Sequence, residues 1–352
     1  MNTQPKKYSK ILLAVDVHSK SYVVCRQFDH SAPQNPERMP AEAFIGYARK
    51  QLENAEEVHV VYEAGCFGYV LARKLIELGI KCYVVRPKKL DPYNKRVQTD
   101  KTDALELVQD LDRYVRGNTR AMCVITIPTV EEELRRAEGR HRKAVQKDIL
   151  AIASRGRSFL LMLGFKVSNQ WWKPRIWNKL QDRLSDQARA ILEANRKAIE
   201  ALEPLLKEAE KRIVSKVNTP LPVGFGKLTF CLLRGEVLRW ERFKTRRQVG
   251  GFTGLCGGVS SSGPYHADLN ITKCGHRTMR TLLIELAWRM VMFQSEYLGV
   301  KKWESILRNP KASRASRKKA VVALARQLAV DLWKWQTGKV DPETLGWKMA
   351  AA

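Results

Sequence analysis

The sequence predicts a mixed α/β domain at the N-terminus, a helical coiled-coil middle and a mainly α C-terminal domain. Three observations predict it. Before Asp103, short β-branched apolar runs alternate with amphipathic stretches, the pattern of an α/β domain with a mixed sheet. After Pro128 the apolar positions take helical spacing and keep it over long stretches. The last third is cut by glycine and proline and then turns helical again.

The elements follow in order. Ile11–Val15 and Tyr22–Phe28 read as strands joined by a polar turn. "EAFIGYARKQLENA" is an amphipathic helix, and "EVHVVYEA" a short buried strand. "FGYVLARKLIELG" is a helix closed by Gly79, because a residue without Cβ suits the left-handed cap. "IKCYVVRP" is a strand stopped by Pro87, and helix resumes after Asp100. Pro128 ends this domain. The expected divisions are 8–125, a helical linker at 126–217, a C-terminal domain at 218–305 and a basic helical tail at 306–352.

In the linker, Thr129 is a plausible N-cap followed by acids. The helix it opens carries Arg135, Arg136, Arg140, Arg142, Lys143, Lys147, Arg155 and Arg157, a basic face long enough to follow a phosphate backbone. Trp171, Trp172 and Trp177 read first as core anchors and second as stacking platforms for bases. Leu184, Ala188, Ile191, Asn195, Ala198, Leu202, Leu205 and Ala209 alternate spacings of four and three, a heptad seam with Asn195 fixing register. Pro204 should kink that helix or start a new one. "TPLPVGFGKLTF" resembles a helix-hairpin-helix turn whose N–H groups contact phosphates.

Composition narrows the partner. Of 352 residues, 63 are Lys or Arg and 36 are Asp or Glu, a net charge of +27. An excess that large favours a polyanion. No segment reaches the roughly 18 apolar residues of a membrane span, so nucleic acid is preferred to a membrane. The N-terminus reads as carrying no signal peptide. Seven cysteines, none in a C-x-x-C pair, suit a reducing compartment, and a bacterial-type cytoplasmic, nucleoid-associated protein is expected. Cys256, His266, Cys274 and His276 lie close in sequence but match no standard zinc spacing.

Against this basic background, four acids stand out. Asp16 ends "ILLAVD", Glu63 ends "VHVVYE", and Asp100 and Asp103 lie in "QTDKTDALEL". If Asp103 begins a helix, Asp100 sits one turn before it and both can point the same way. Four converging carboxylates repel unless cations lie between them. Two hard divalent ions would relieve this and would suit phosphodiester chemistry. Each acid alone is equally readable as a turn or cap residue.

Here the chain resembles a family. "AVDVHSK", "VVYEAGCFGYVLARKLIELGIKCYVVRPKKL" and "QTDKTDALELV" look like the N-terminal domain of DEDD-type insertion-sequence transposases. The resemblance implies a RuvC-like, ribonuclease-H-type fold, with Asp16, Glu63, Asp100 and Asp103 holding Mg²⁺, two ions expected. "LPVGFGKLTF" and "FKTRRQVGGFTGLCGGVSSSGPYHADLNITKCGHRTMRTLL" are similar to the family's C-terminal domain, through Phe243, Gly254-Leu255, Ser262-Gly263, Thr272-Lys273-Cys274-Gly275-His276 and Arg280. It implies that the serine before the glycine, Ser262 with Ser261 as second choice, is the nucleophile that links to a broken DNA strand. Pro264 departs from the small or polar residue usual there. Lys273, His276, Arg277 and Arg280 are candidates for the nucleic-acid backbone. The resemblance further implies a structured guide (bridge) RNA that pairs with donor and target DNA, and a homo-oligomer, dimer or tetramer. The absence of a recognisable helix-turn-helix or zinc-finger reader fits RNA guidance. The competing readings are a metal-dependent junction nuclease using the carboxylates alone, and a non-catalytic nucleic-acid-binding scaffold.

Overall fold

The structure, a computed structural model, describes residues 6–87, 99–263 and 265–350. The chain forms two compact units, Met1–Thr129 and Val130–Ala352.

The first unit holds strands β1 (Tyr8–Val17), β2 (Ser21–Phe28), β3 (Glu37–Pro40), β4 (Ala55–Glu63) and β5 (Lys81–Val85), with helices α1 (Phe44–Asn54), α2 (Val70–Glu77) and α3 (Asp100–Val115). The sheet order is β3-β2-β1-β4-β5. β1 pairs antiparallel with β2 and parallel with β4, and β5 runs parallel to β4. The expected mixed sheet is therefore present.

β1 is central and buried on both faces, which is why its sequence is a continuous apolar run. Ile11, Leu13 and Val15 pack with Phe44 and Ala48 of α1 and Ala72 and Leu75 of α2. Leu12 and Ala14 pack on the other face with Ala104, Leu107, Val108 and Leu111 of α3. Gly79 has φ +83°, as its capping role requires. β3 was not expected. Its four residues, "ERMP", carry one large apolar side chain and a proline, which only a sheet edge accommodates. α3 begins at Asp100, so both Asp100 and Asp103 lie in its first turn. Thr99 caps it, its hydroxyl accepting the Thr102 N–H at 3.3 Å while the Thr102 hydroxyl accepts the Thr99 N–H at 2.9 Å.

The second unit contains α4 (Val130–Met162), α5 (Pro174–Leu180), α6 (Asp186–Val214), α7 (Lys227–Val237), α8 (Arg246–Thr253), the hairpin β6 (Gly257–Ser262) and β7 (Tyr265–Ile271), α9 (Arg277–Phe293), α10 (Leu298–Lys302), α11 (Glu304–Leu307) and α12 (Arg314–Gln336). α4 and α6 run antiparallel, since Glu138 pairs with Lys216 at 3.2 Å and Arg142 with Glu210 at 2.5 Å. The three tryptophans are buried core. Trp171 donates Nε1–H to the Ala153 carbonyl at 2.8 Å and packs directly on Gly156.

The heptad seam is corrected. Ile191, Ala198 and Leu205 are exposed, while Leu192 and Ile199 are buried. The face turned inward is one residue on from the expected stripe at these three positions. The Asn195 side-chain amide donates to the Ile191 carbonyl of its own helix at 3.2 Å. α6 also runs unbroken through Pro204. The turn before α7 uses two of its amides within the fold. Its Val223 N–H donates to the Lys348 carbonyl at 2.8 Å and the Phe225 N–H to Pro222 at 2.9 Å, so neither faces a phosphate. The stretch expected as a tail is built into the core, where Leu324, Leu328 and Trp347 pack with Phe230 and Leu283.

Candidate active site and nucleic-acid cleft

In β1 and β4 the register sets Val15 beside Tyr62. Asp16 and Glu63 are the next residues along, and alternation puts both on the face covered by α3. They line one pocket of about 170 Å³ with the turn Ala64–Gly68. Asp100 and Asp103 occupy the first turn of α3 over the same face. The fold thus brings the four acids to one end of one sheet face.

Asp103 carries the electrostatic signature of that convergence. Partial burial, then the charges of Asp16, Glu106 and Asp100, raise its pKa above the ordinary value. Asp100 is shifted the other way, chiefly by a hydrogen bond from Arg38 at 2.6 Å, and its side chain is 39% exposed. His18 places Nε2 at 3.0 Å from Asp16 Oδ2 and 3.4 Å from Asp100 Oδ2. Arg38 on the edge strand and His18 in the β1–β2 turn were missed in the sequence. His18 lies inside "AVDVHSK", where only the aspartate was singled out, while Arg38 lies in no quoted motif and is 62 positions from the acid it touches.

The donor set fits a hard cation in part. Asp16, His18 and Asp100 offer ligand atoms within 4.8 Å of one another, the one such group among the described residues. The carboxylate oxygens suit Mg²⁺, whereas an imidazole nitrogen does not.

The serines stand on an exposed hairpin. Ser262 pairs across it with Tyr265, and Ser261 with His266. Adjacent residues on a strand point to opposite faces, so the two hydroxyls point apart. Neither makes a hydrogen bond among the described residues. The sequence pattern does not reveal these strands. They lack apolar alternation because neither face is buried, with Val259, Tyr265 and Leu269 more than half exposed. Ser262 precedes Gly263, at φ +57°, and Pro264 lies outside the described residues.

Behind the hairpin, two glycines meet backbone to backbone. A Cβ on Gly275 would lie 2.2 Å from the Gly254 nitrogen, and one on Gly254 would lie 2.8 Å from Arg280 Nη1. That nitrogen donates to the carbonyls of Thr253 at 3.2 Å and Lys273 at 3.3 Å. Arg280, expected at the nucleic-acid backbone, therefore clamps the protein's own loops. Lys273 sits in that loop at φ +55° with an exposed side chain.

The other expected nucleic-acid residues come together. Arg135, Arg136, Arg140 and Arg142 of α4 line one cleft of about 450 Å³ with His276 and Arg277 at the start of α9. They arrive there already paired. Arg135 meets Glu131 at 3.0 Å, Arg142 meets Glu210, and Arg136 and Arg140 approach the buried Glu236 at 3.7 and 3.8 Å. His276 caps α9 by accepting the Met279 N–H at Nδ1, 3.3 Å. That leaves Nε2, the protonated nitrogen of this tautomer, facing Glu236 at 3.3 Å.

The stretch holding the hairpin, the glycine contact and one wall of the cleft is also the stretch with a recognisable family. Residues 222–299 match the family described as "Transposase IS116/IS110/IS902 family". Similarity to transposases extends further along the chain. It is 28% identical over 303 residues to y4rJ, a candidate transposase of Sinorhizobium fredii, covering 78% of this chain and 76% of that one. To a second such protein of the same organism, y4qE, it is 29% identical over 262 residues, 70% of this chain and 63% of the other. To the transposase for insertion sequence element IS1328 of Yersinia enterocolitica it is 24% identical over 290 residues, 78% and 82%. Among the described residues, no helix is long and apolar enough to cross a membrane.

Proposed function

We propose that this chain is an insertion-sequence transposase that cuts and rejoins DNA through a covalent link at Ser262. The observation that carries the reading is the convergence of Asp16, Glu63, Asp100 and Asp103 on one end of the sheet, in a chain whose transposase-family region exposes a Ser-Gly hairpin. The strand order β3-β2-β1-β4-β5, with β2 antiparallel, supports a RuvC-like fold for the first unit.

The serine's part is a phosphoryl exchange. Ser262 Oγ forms a bond to phosphorus while one P–O bond of the strand breaks. The serine proton leaves to solvent or a base, and the departing strand oxygen takes one up. One phosphodiester replaces another, so the bond is kept for rejoining, whereas hydrolysis discards it. A serine hydroxyl is a weak nucleophile unaided. Asp16, Glu63, Asp100 and Asp103 would hold Mg²⁺, which when bound offsets phosphate charge and lowers the barrier to attack. The exposed hairpin gives Ser262 access to a strand without displacing core residues. We assign sequence readout to a structured RNA paired with donor and target DNA, supported by the charge of +27 and the basic cleft. We also propose that a homo-oligomer acts.

The test is covalent trapping. Protein, RNA from the element's end, Mg²⁺ and donor DNA are mixed, denatured and searched by mass spectrometry for a nucleotide-linked peptide. A link at Ser262 is expected. Cut DNA without a linked peptide would replace this reading with a nuclease using the carboxylates alone.

A further inference from the structure

The cleft between α4, α7 and the start of α9 contains a group that the proposed chemistry does not use. Glu236 of α7 has a side chain only 8% exposed and faces the cleft. Its Oε2 makes no hydrogen bond among the described residues, and neither does the buried Nε of Arg136. Around this one carboxylate stand Arg136, Arg140 and His276 at 3.3–3.8 Å. Burial alone would raise the Glu236 pKa, but these neighbours outweigh it and hold the group below its ordinary value. Close by, burial and the charge of Arg136 push the Arg242 guanidinium down to about 10. Cations exceed acids along this cleft, and the exposed Arg140, Lys143 and Arg277 make its rim attractive to an anion.

The geometry matches an extended anion. Arg136, Arg140 and Lys143 fall at i, i+4 and i+7 on α4, and all line the cleft. Seven residues of helix rise about 10 Å, the length of two or three phosphates along one strand. Arg277 stands in the first turn of α9, a 17-residue helix whose N-terminal dipole also favours negative charge. Leu232 and Leu282 supply apolar wall.

We propose that this cleft is a seat for a phosphodiester segment of nucleic acid, in which Arg140, Lys143 and Arg277 contact phosphates and Glu236 is a positioning residue that keeps Arg136, Arg140 and His276 aimed into the cleft. The proposal rests on the nucleic-acid part of the proposed function and goes beyond it. It gives a negative side chain a positive effect on anion binding, and that sign is testable.

The full chain is titrated by fluorescence anisotropy with a labelled single-stranded RNA, a DNA of the same sequence, and a polyglutamate peptide as competitor. Arg140→Ala and Arg277→Ala are each expected to weaken binding about tenfold. Each should also reduce the slope of log affinity against log salt by about one. Glu236→Gln removes a negative charge from a basic cleft, yet is expected to weaken binding with an unchanged thermal midpoint. Glu236→Asp, which keeps the charge and loses reach, should do the same and serves if the Gln variant fails to fold. Equal losses for RNA and DNA assign the seat to the shared backbone, and a larger loss for RNA assigns it to RNA. Unchanged slopes in both arginine variants would overturn the seat. Tighter binding by both Glu236 variants would overturn the positioning role, and polyglutamate competing as well as RNA would overturn the ligand. Ser262→Ala must bind normally. In the parent protein, cut DNA with intact binding and no covalent adduct would sink the serine-transposase reading and leave the seat standing.

Discussion

Arg38 holds Asp100. Its Nη2 lies 2.6 Å from Asp100 Oδ2, joining the edge strand of the sheet to the first residue of α3. A carboxylate proposed to bind a cation thus already has one beside it.

This makes Arg38 a competitor for the metal. Arg38→Ala is expected to tighten Mn²⁺ or Mg²⁺ binding severalfold in calorimetry, because Asp100 loses the charge that now neutralises it. Weaker binding in the variant would mean that Arg38 instead orients the carboxylate. Both partners are well exposed, so folding stability should change little.

Asp103 gives the complementary prediction. Its raised pKa reports that burial and the neighbouring acids make its charge unfavourable without a cation. Asp103→Asn should therefore raise the melting midpoint of metal-free protein slightly while abolishing DNA cutting. RNA binding, which depends on other residues, should persist. A folded variant that still cuts DNA at the normal rate would remove Asp103 from the site.

The two serines can be separated because they point apart. Ser262→Ala should abolish the covalent adduct and Ser261→Ala should leave it, read by the same peptide mass spectrometry. The reverse result would move the nucleophile to Ser261, beside His266.

These residues were legible in the sequence to different degrees, for physical reasons. Asp16 and Glu63 could be found because each ends a run buried on both faces, and such runs show as unbroken apolar sequence. Asp100 and Asp103 could be found as a helical pair, both in the first turn of α3. Arg38 could not be found, since a four-residue edge strand leaves almost no pattern. The hairpin was invisible because neither face is buried. The basic cleft was seen as two unrelated halves. Only tertiary packing brings Arg140 and Arg277 together, and nothing local records it. The seam of α6 failed at Ile191, Ala198 and Leu205 because neighbours one residue on, Leu192 and Ile199, carry equally apolar side chains.

Gly156 tests the packing of the α4–α6 unit. Glycine in a helix costs about 1 kcal/mol relative to alanine, so Gly156→Ala looks stabilising on propensity alone. Its Cβ, however, would lie 2.0 Å from the Trp171 ring. The ring is fixed by its hydrogen bond to Ala153 and by Trp172 and Trp177 around it. Overpacking should win, with a net loss of about 1–2 kcal/mol in urea unfolding. A more stable variant would show that Trp171 can move.

Asp331 supplies a pH dependence. It is buried in α12, accepting from the Tyr297 hydroxyl at 2.7 Å and from the Gln327 amide at 2.9 Å. Burial raises its pKa above the ordinary 3.8, and these two hydrogen bonds, which favour the charged form, do not fully offset it. The folded state therefore holds this proton more tightly than the unfolded chain. Its contribution to stability is full below the ordinary pKa and is lost as pH rises through the raised one. Asp331→Asn keeps an acceptor for Tyr297 and removes the charge. The variant should match the parent near pH 3.5 and become progressively more stable than it toward pH 7. Tyr297→Phe does the opposite, leaving a buried carboxylate short of a donor, and should cost about 1–3 kcal/mol near neutral pH. Urea unfolding at several pH values reads both. A stability difference between Asp331→Asn and parent that stays flat with pH would mean that the carboxyl titrates normally in the fold.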